Sequence, residues 1–576
     1  MSSAADRAGL LLAAAYLVAA LHGLGASDIV GDDEAREAGI VQDVVAGHWL
    51  WPRFNQDLLP DKPPLFHWLA AVPCALAGFS EAAVRLPSAV AGAALVGWTA
   101  YAGNRLLGGP TGLVAAGLLA TTPALFARAR VARPDALLAL LLAVAFGCTF
   151  RAWRDRRRRD AVAGLVLLGA ATLAKGPVAP ALFAVTLLAF LAWQGDLRRL
   201  PALLPPAGLV AVVVLGLGWY AVGLAGWGGL FVREHLIGRY LGNLLGQVVS
   251  DQAATSRPFA RQPLFYLAQL PAIALPWTPF TVLALWHAHR AGGLRDPRLR
   301  FLLCWAAAPV IVFTPAVVKL RYYLLPALPA LALITAPTVV ALARRAARRP
   351  TPRELAGVAG AVLVVSAAAL ALAGTGVLSR SDRTVLAALL PLVPGGSAGA
   401  AAGLGGALGV LLVAVACRAW RTVIGLVAAT QIAWLVVGAP AVEQAIARRD
   451  SLRAFGLAVA ARYPAPKPLA FYPQTMRAAA LYIGRPVPIV RRPDQLVPGT
   501  AVICTEAAYH ALAGDGRLGP PLLTAEGRVG NTARARVVLA EAGVGPLDGA
   551  AHPVEAVLFA LAAHQSGVGE GGDVLP

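Results

Sequence analysis

Residues 31–68 read GDDEAREAGIVQDVVAGHWLWPRFNQDLLPDKPPLFHW, and they follow directly on an apolar stretch, 9–26, long enough to cross a bilayer. Three consecutive acids, Asp32, Asp33 and Glu34, open the segment in a chain of 576 residues that holds only 30 acids. Asp61-Lys62-Pro63-Pro64 and an aromatic group, Phe66, His67 and Trp68, close it. Charge this dense at the mouth of a first span is costly to place, which marks the segment as functional.

The rest of the chain bears out a membrane setting. It is 58% hydrophobic with a mean hydropathy of +0.66. Uncharged stretches recur at 86–104, 111–127, 136–150, 161–174, 176–193, 203–225, 263–286, 301–318, 322–343, 355–378, 398–417 and 422–441. With the first they predict about thirteen spans. The first span is not read as a signal peptide, because no small-residue cleavage site precedes the acidic loop and further spans follow. The segment 63–79 is apolar and opens with Pro-Pro, which predicts a short helix lying in the interface.

A net charge of +20 invites nucleic acid as a partner, but its distribution argues for topology. Arg105, Arg151 to Arg159, Arg198 with Arg199, Arg290 to Arg300, Arg344 to Arg353, and Arg418 with Arg421 fall between spans. Counted from a cytoplasmic N-terminus, all lie on one side, as the positive-inside rule requires. The opposite side receives the long loops 27–85 and 226–262 and everything after about 441, so residues 1–440 are expected as the membrane domain. Residues 441–576 turn less apolar. Short runs at 469–472, 487–490, 501–505 and 536–539 with a helical stretch at 474–483 predict a small outer α/β domain, and 566–576 is Gly-rich. The expected protein is a monomeric, multi-pass α-helical protein of a bacterial inner membrane, in contact with membrane lipids and not with nucleic acid. Five cysteines show neither metal nor disulfide spacing.

Lysine usage narrows the site. Of fifty basic residues only four are lysines, Lys62, Lys175, Lys319 and Lys467. The first three fall at outer ends of spans, where a compact ammonium can meet a phosphate in a tight space. The bland alternative is that charges gather at span ends because they cannot sit mid-membrane. Asp33, Asp32 and Asp135 are the candidate acids, for a carboxylate near the interface can act as general base on an acceptor. Helix capping is the competing reading for Asp33 and Asp135. In the loop 226–262, His235 is a ligand candidate or a plain interface residue. Arg239 and Arg257 are outer-face cations against the topological trend, hence candidate phosphate binders. Trp49, Trp51, Trp219, Trp227, Tyr322 and Tyr323 are by default interface-belt aromatics.

The motifs DEAR, GHWLWPRFN and DKPPLFHW, followed in order by RPDALLALLLA, LAKGPVA, EHLIGRY, PWTPF and KLRYYLLP, resemble the lipid-A aminoarabinose transferases and their relatives. These belong to the GT-C membrane glycosyltransferases, which also include protein O-mannosyltransferases. The resemblance covers roughly residues 10–340. It implies inverting transfer of a sugar from a polyprenyl-phosphate donor to a lipid or envelope-glycan acceptor. By motif, Asp33 matches the catalytic aspartate, although counting back from GHW without gaps selects Asp32. Asp135 matches the supporting acid, Lys62 the lysine that meets the donor phosphate, Arg239 its arginine partner, and Tyr323 the tyrosine of the last motif. Lys175, Lys319, Arg321 and Arg257 are further candidate contacts to substrate. A divalent metal such as zinc is implied at Asp61 and His235. Two positions depart from the pattern: Asp61 stands where Glu is usual, and Arg321 where Pro is usual. A protein acceptor, or a transporter of lipid-linked saccharide without catalysis, remain the alternatives. A transporter would place its ionisable residues near the midplane of broken helices.

Overall fold

The computed structural model describes residues 4–55, 60, 62–108, 110–241, 264–316, 319–345, 414–415, 417–529 and 533–543. The chain separates into two units. The first comprises Met1–Ala460, Met476–Val487 and Glu526–Ala535. The second comprises Ala461–Thr475, Pro488–Ala525 and Arg536–Pro576. The composition break at 440 therefore falls inside the first unit.

The first unit is a polytopic helical bundle. Among the described residues six helices are long and apolar enough to span a bilayer, or eight if two bent pairs each count as one span. The six are α1 (Ala4–Leu21), α4 (Glu81–Leu107), α7 (Asp135–Asp155), α10 (Pro206–Phe231), α14 (Arg321–Ala343) and α15 (Trp420–Asp450). The bent pairs are α5 (Thr111–Ala120) with α6 (Pro123–Ala129), at 65°, and α11 (Phe265–Ile273) with α12 (Thr278–Arg290), at 106°. The expected spans at 161–174, 176–193 and 301–318 form helices α8 (Arg158–Lys175), α9 (Val178–Gln194) and α13 (Pro297–Phe313). The expected spans at 355–378 and most of 398–417 lie outside the described residues. Large apolar side chains stand on the outside of the bundle, Leu11 at 72% exposure, Val214 at 63% and Val282 at 61%. In water such a surface would cost free energy; against acyl chains it does not.

Without a hydrophobic force between helices in lipid, close packing of small residues holds such a bundle. Helix α4 shows it, burying Ala89, Gly92, Ala93, Val96, Ala100 and Gly103. A side chain at Gly112 of α5 would meet the backbone of Asn104 at 2.2 Å and of Ala100 at 2.4 Å, so only glycine lets the two helices approach. Aromatic rings fill the wider gap between α7, α9 and α13. Phe146 stacks on Phe183 at 5.8 Å, and Phe301 meets Phe150 at 4.9 Å and Phe190 at 5.1 Å.

Two helices on the loop side of the bundle matter most. Helix α2 (Asp32–Val45) starts at Gly31, and α3 (Leu65–Ala77) starts after the Pro-Pro pair, where a helix was expected. Ile29, Ala35, Val41, Phe66, Ala70 and Val84 form the core between α2, α3 and α4. Ala478 and Leu481 of helix α17 (Arg477–Ile483) join the same core, and Tyr482 accepts from Ile29 N and donates to Glu81. Helix α16 (Arg453–Arg462) precedes this segment.

The second unit contains helix α18 (Glu506–Gly514), capped by the Thr505 hydroxyl, and most of a four-stranded sheet of order β1-β2-β4-β3. The strands are β1 (Leu469–Phe471), β2 (Ala501–Thr505), β3 (Leu518–Val529) and β4 (Ala533–Ala542). β1 runs parallel and β4 antiparallel to β2, with Ala470 opposite Val502 and Val502 opposite Ala540.

The α2 position is set by one buried pair. Arg85 donates to both oxygens of Glu34, at 2.7 and 3.3 Å, and to Leu24 O, Ser27 O and Ser27 Oγ. Removing one partner of a buried pair strands the other charge, which costs about 3–5 kcal/mol. The exposed pair Arg105–Asp6, at 3.1 Å, is worth about 0–1 kcal/mol. Arg85→Ala is therefore expected to lower the thermal unfolding midpoint in detergent far more than Arg105→Ala; equal losses would contradict this ranking.

A buried charge network as the candidate active site

The network grows from the first turns of α2. A helix N-terminus favours negative charge, and Asp32, Asp33 and Glu34 occupy that turn. None of them caps the helix by side chain, since the cap is Gly31. Asp135 does not cap α7 either; it is the first helical residue after Pro134. The capping explanation is thus removed for both acids.

Helical spacing places Asp33, Arg36 and Glu37 on one face. Asp33 lies 2.9 Å from the Arg133 guanidinium and 3.7 Å from that of Arg36. Arg133 reaches on to Asp135 at 3.4 Å, and Asp135 pairs with Lys175, the last residue of α8. Gly176 follows with φ +77°, ending the helix so that Lys175 stays at its tip. One turn beyond Asp33, Glu37 is fully buried and holds Lys62 and His67, with His67 Nε2 donating at 2.7 Å. Burial alone would push the Asp33 carboxyl up, but Arg133, then Arg36 and Lys62, outweigh it and hold it below the usual carboxylate range. Glu37 behaves likewise: burial raises it, and Lys62, then His67, outweigh this and hold it well below the usual carboxylate range.

The last motif supplies the aromatic wall. The Tyr322 ring lies 4.7 Å from the Arg133 guanidinium and 4.9 Å from that of Arg128. Tyr323 stacks on Phe313 at 4.6 Å and faces the Lys175 ammonium at 5.1 Å. These are cation–π contacts, not belt positions. Trp219 is likewise no belt residue, because it is buried against Trp51, Phe231 and His235.

The other expected residues are spread more widely. Asp32 is buried beside Asp33. Lys319 donates to Thr314 O at 2.6 Å and Ala316 O at 2.8 Å, seating it on the carbonyls beyond α13. Arg321 is exposed. Arg257 and Asp61 lie outside the described residues. So does the side chain of Arg239, whose backbone belongs to the helical segment Val232–Leu241. His235 is buried in that segment and donates from Nδ1 to Pro60 O at 3.0 Å, next to Asp61 in the chain. That bond makes Nε2 the basic nitrogen, the tautomer a metal ligand uses. Among the described residues no three His, Cys, Asp or Glu side chains gather as a ligand set.

Glu37, Arg36, Arg128 and Arg133 were not among the expected site residues, and Tyr322 was expected in the interface belt rather than against two guanidinium groups. The i, i+3, i+4 spacing in DEARE was a usable signal for Arg36 and Glu37. Arg128 and the contact of Arg133 with Asp33 carried none, because the partners are aromatic or 100 residues away.

Residues 61–219 match the family described as dolichyl-phosphate-mannose-protein mannosyltransferase. The chain is 30% identical over 346 residues to an undecaprenyl phosphate-alpha-4-amino-4-deoxy-L-arabinose arabinosyl transferase of Shewanella sediminis, covering 56% of this chain and 58% of that protein. It is 28% identical over 359 residues to a protein of the same name from Erwinia tasmaniensis, covering 60% and 62%. The match thus spans about three fifths of the length of these relatives. The crystal structure of ArnT from Cupriavidus metallidurans bound to undecaprenyl phosphate superposes with a TM-score of 0.69 at 22% identity, over 93% of this chain and 99% of that one. The chain shares the fold of that structure, and the relatives carry the name that the ordered motifs led to expect.

A depressed carboxyl contributes stability that is present above its ordinary range and lost as pH falls through the lowered value. Wild type is therefore expected to unfold at a higher temperature than Asp33→Asn near neutral pH. The gap should close on acidification below about pH 4. A gap independent of pH would count against the ionised Asp33–Arg133 pair.

Proposed function

We propose that this chain moves a sugar, with inversion, from a polyprenyl-phosphate donor to a lipid or envelope-glycan acceptor of the lipid A kind, on the periplasmic face of a bacterial inner membrane. The reading includes about thirteen spans in all, a cytoplasmic N-terminus and a periplasmic C-terminal domain. One observation carries it: a single helix face presents the buried, ionised Asp33 and, one turn on, the carboxylate that holds Lys62. A transfer from a phosphate leaving group calls for such an acid and such a cation side by side. The names of the relatives and their motif order support the donor class.

In this mechanism the polyprenyl chain lies between spans, and Lys62 with Arg239 meets the phosphate. The acceptor oxygen attacks the anomeric carbon as the bond from that carbon to the phosphate oxygen breaks. The electron pair leaves on phosphate, where charge-assisted hydrogen bonds stabilise it. Asp33 accepts the proton of a hydroxyl acceptor; toward a phosphate acceptor it orients and balances charge. Arg133, bonded to Asp33 and backed by Tyr322, fixes the carboxylate, and Asp135 with Lys175 fixes Arg133. A zinc-like ion at Asp61 and His235, if bound, would supply additional positive charge near the phosphate; metal analysis of the purified protein tests it. The family description matched at 61–219 favours one second reading, a protein acceptor.

Purified protein, given radiolabelled polyprenyl-phosphate sugar and membrane extract, should move label to lipid. Label on protein would select the second reading, and no transfer under conditions where a relative works would favour a transporter. Asp33→Asn is expected to lower the rate by about 100-fold or more. Near wild-type activity in that variant would remove Asp33 from the reaction.

A further inference from the structure

Glu37 is the one fully buried carboxylate of the described network, and the reaction just outlined gives it no task. Both its oxygens are engaged. Oε1 takes the Lys62 ammonium, and Oε2 takes His67 Nε2, itself 1% exposed. His67 thus keeps the carboxylate from rotating away from the lysine. Glu37 lies four residues after Asp33, so it fixes where the ammonium stands relative to the acid.

Electrostatics give the pair a second consequence. A phosphate that approaches Lys62 also meets the negative charge of Glu37 behind it. The attraction is that of a dipole rather than of a bare cation. This matters because charge grows during transfer. A phosphodiester donor carries one negative charge, whereas the polyprenyl phosphate left behind is a monoester carrying about 1.5 to 2 near neutral pH. A bare buried cation would hold the product more tightly than the substrate and delay its release.

We propose that Glu37 is a positioning residue that sets the Lys62 ammonium one helical turn from Asp33 and weakens its hold on phosphate, so that polyprenyl phosphate leaves after transfer. The proposal rests on the donor class given above. A purely structural ion pair predicts the opposite sign: its loss would loosen the site and weaken phosphate binding.

The test measures binding of undecaprenyl phosphate to the purified full chain in detergent, beside steady-state transfer. Glu37→Gln is expected to bind undecaprenyl phosphate about tenfold more tightly than wild type, with a lower donor KM and a lower kcat. Glu37→Asp, which restores the charge, should return the Kd toward wild type. Should Glu37→Gln not fold, Glu37→Met carries the same expectation, being neutral and of similar volume. Unchanged or weaker binding in the neutral variant, alongside Lys62-dependent binding in wild type, overturns the role of Glu37 alone. Binding by Lys62→Gln as tight as wild type overturns the donor reading and this proposal with it.

Discussion

Carboxylates can be kept in a membrane protein's interior only if each is met by a cation, and the arrangement of α2, α4, α7 and α8 follows from that constraint. Glu34 is met by Arg85 of α4, Asp33 by Arg133 from the α6–α7 loop, Asp135 by Lys175 of α8, and Glu37 by Lys62. Each pair joins a different segment to α2 or to its neighbour. No single pair adds much net stability, because desolvation offsets most of the Coulomb gain. Together they fix which ends of which helices must meet. The apolar interior supplies cohesion; the ion pairs supply register.

The pairs do not share one role. Glu34 and Arg85 saturate each other and the nearby carbonyls, leaving little for a ligand. Arg133 is shared between two carboxylates and a tyrosine face, so it transmits position without being consumed by either. Lys62 is half-buried at the edge of the described network. The saturated Glu34 and the candidate site residues Asp33 and Glu37 thus lie within five residues of one helix.

Much of the fold was legible because the long uncharged stretches of this chain form helices. The spans α1, α4, α7, α10 and α14 fall where uncharged stretches predicted them. The site was legible in part. Asp33, Asp135, Lys62 and Lys175 stood out because acids and lysines are scarce here and fall at span ends. Their pairings were not, since Asp33 and Arg133 are 100 residues apart and nothing local joins them. Lys319 shows the converse: its position at a span end matched the pattern, yet its ammonium satisfies carbonyls beyond a helix end. A lysine at such an end has two uses, and composition cannot choose between them. Tyr322 and Tyr323 were read as membrane-belt residues because that is the common use of an aromatic there; the cations that recruit them come from α6, α8 and the α6–α7 loop.

Helix α7 begins at Asp135 in the network and ends at Asp155, its twenty-first residue, beside the arginine run at 156–159. At 1.5 Å per residue this is about 30 Å, the thickness of a hydrocarbon core. Its buried positions are mostly Ala, Leu and Phe, where exchanges that conserve volume cost little. Its length is not exchangeable. One inserted residue would turn the carboxylate by about 100° relative to the arginine run and shift it by about 1.5 Å, away from Lys175 on α8. Drift in such a helix is therefore open to exchanges that conserve volume and closed to insertions and deletions, so its residue count constrains it beyond what its packing does.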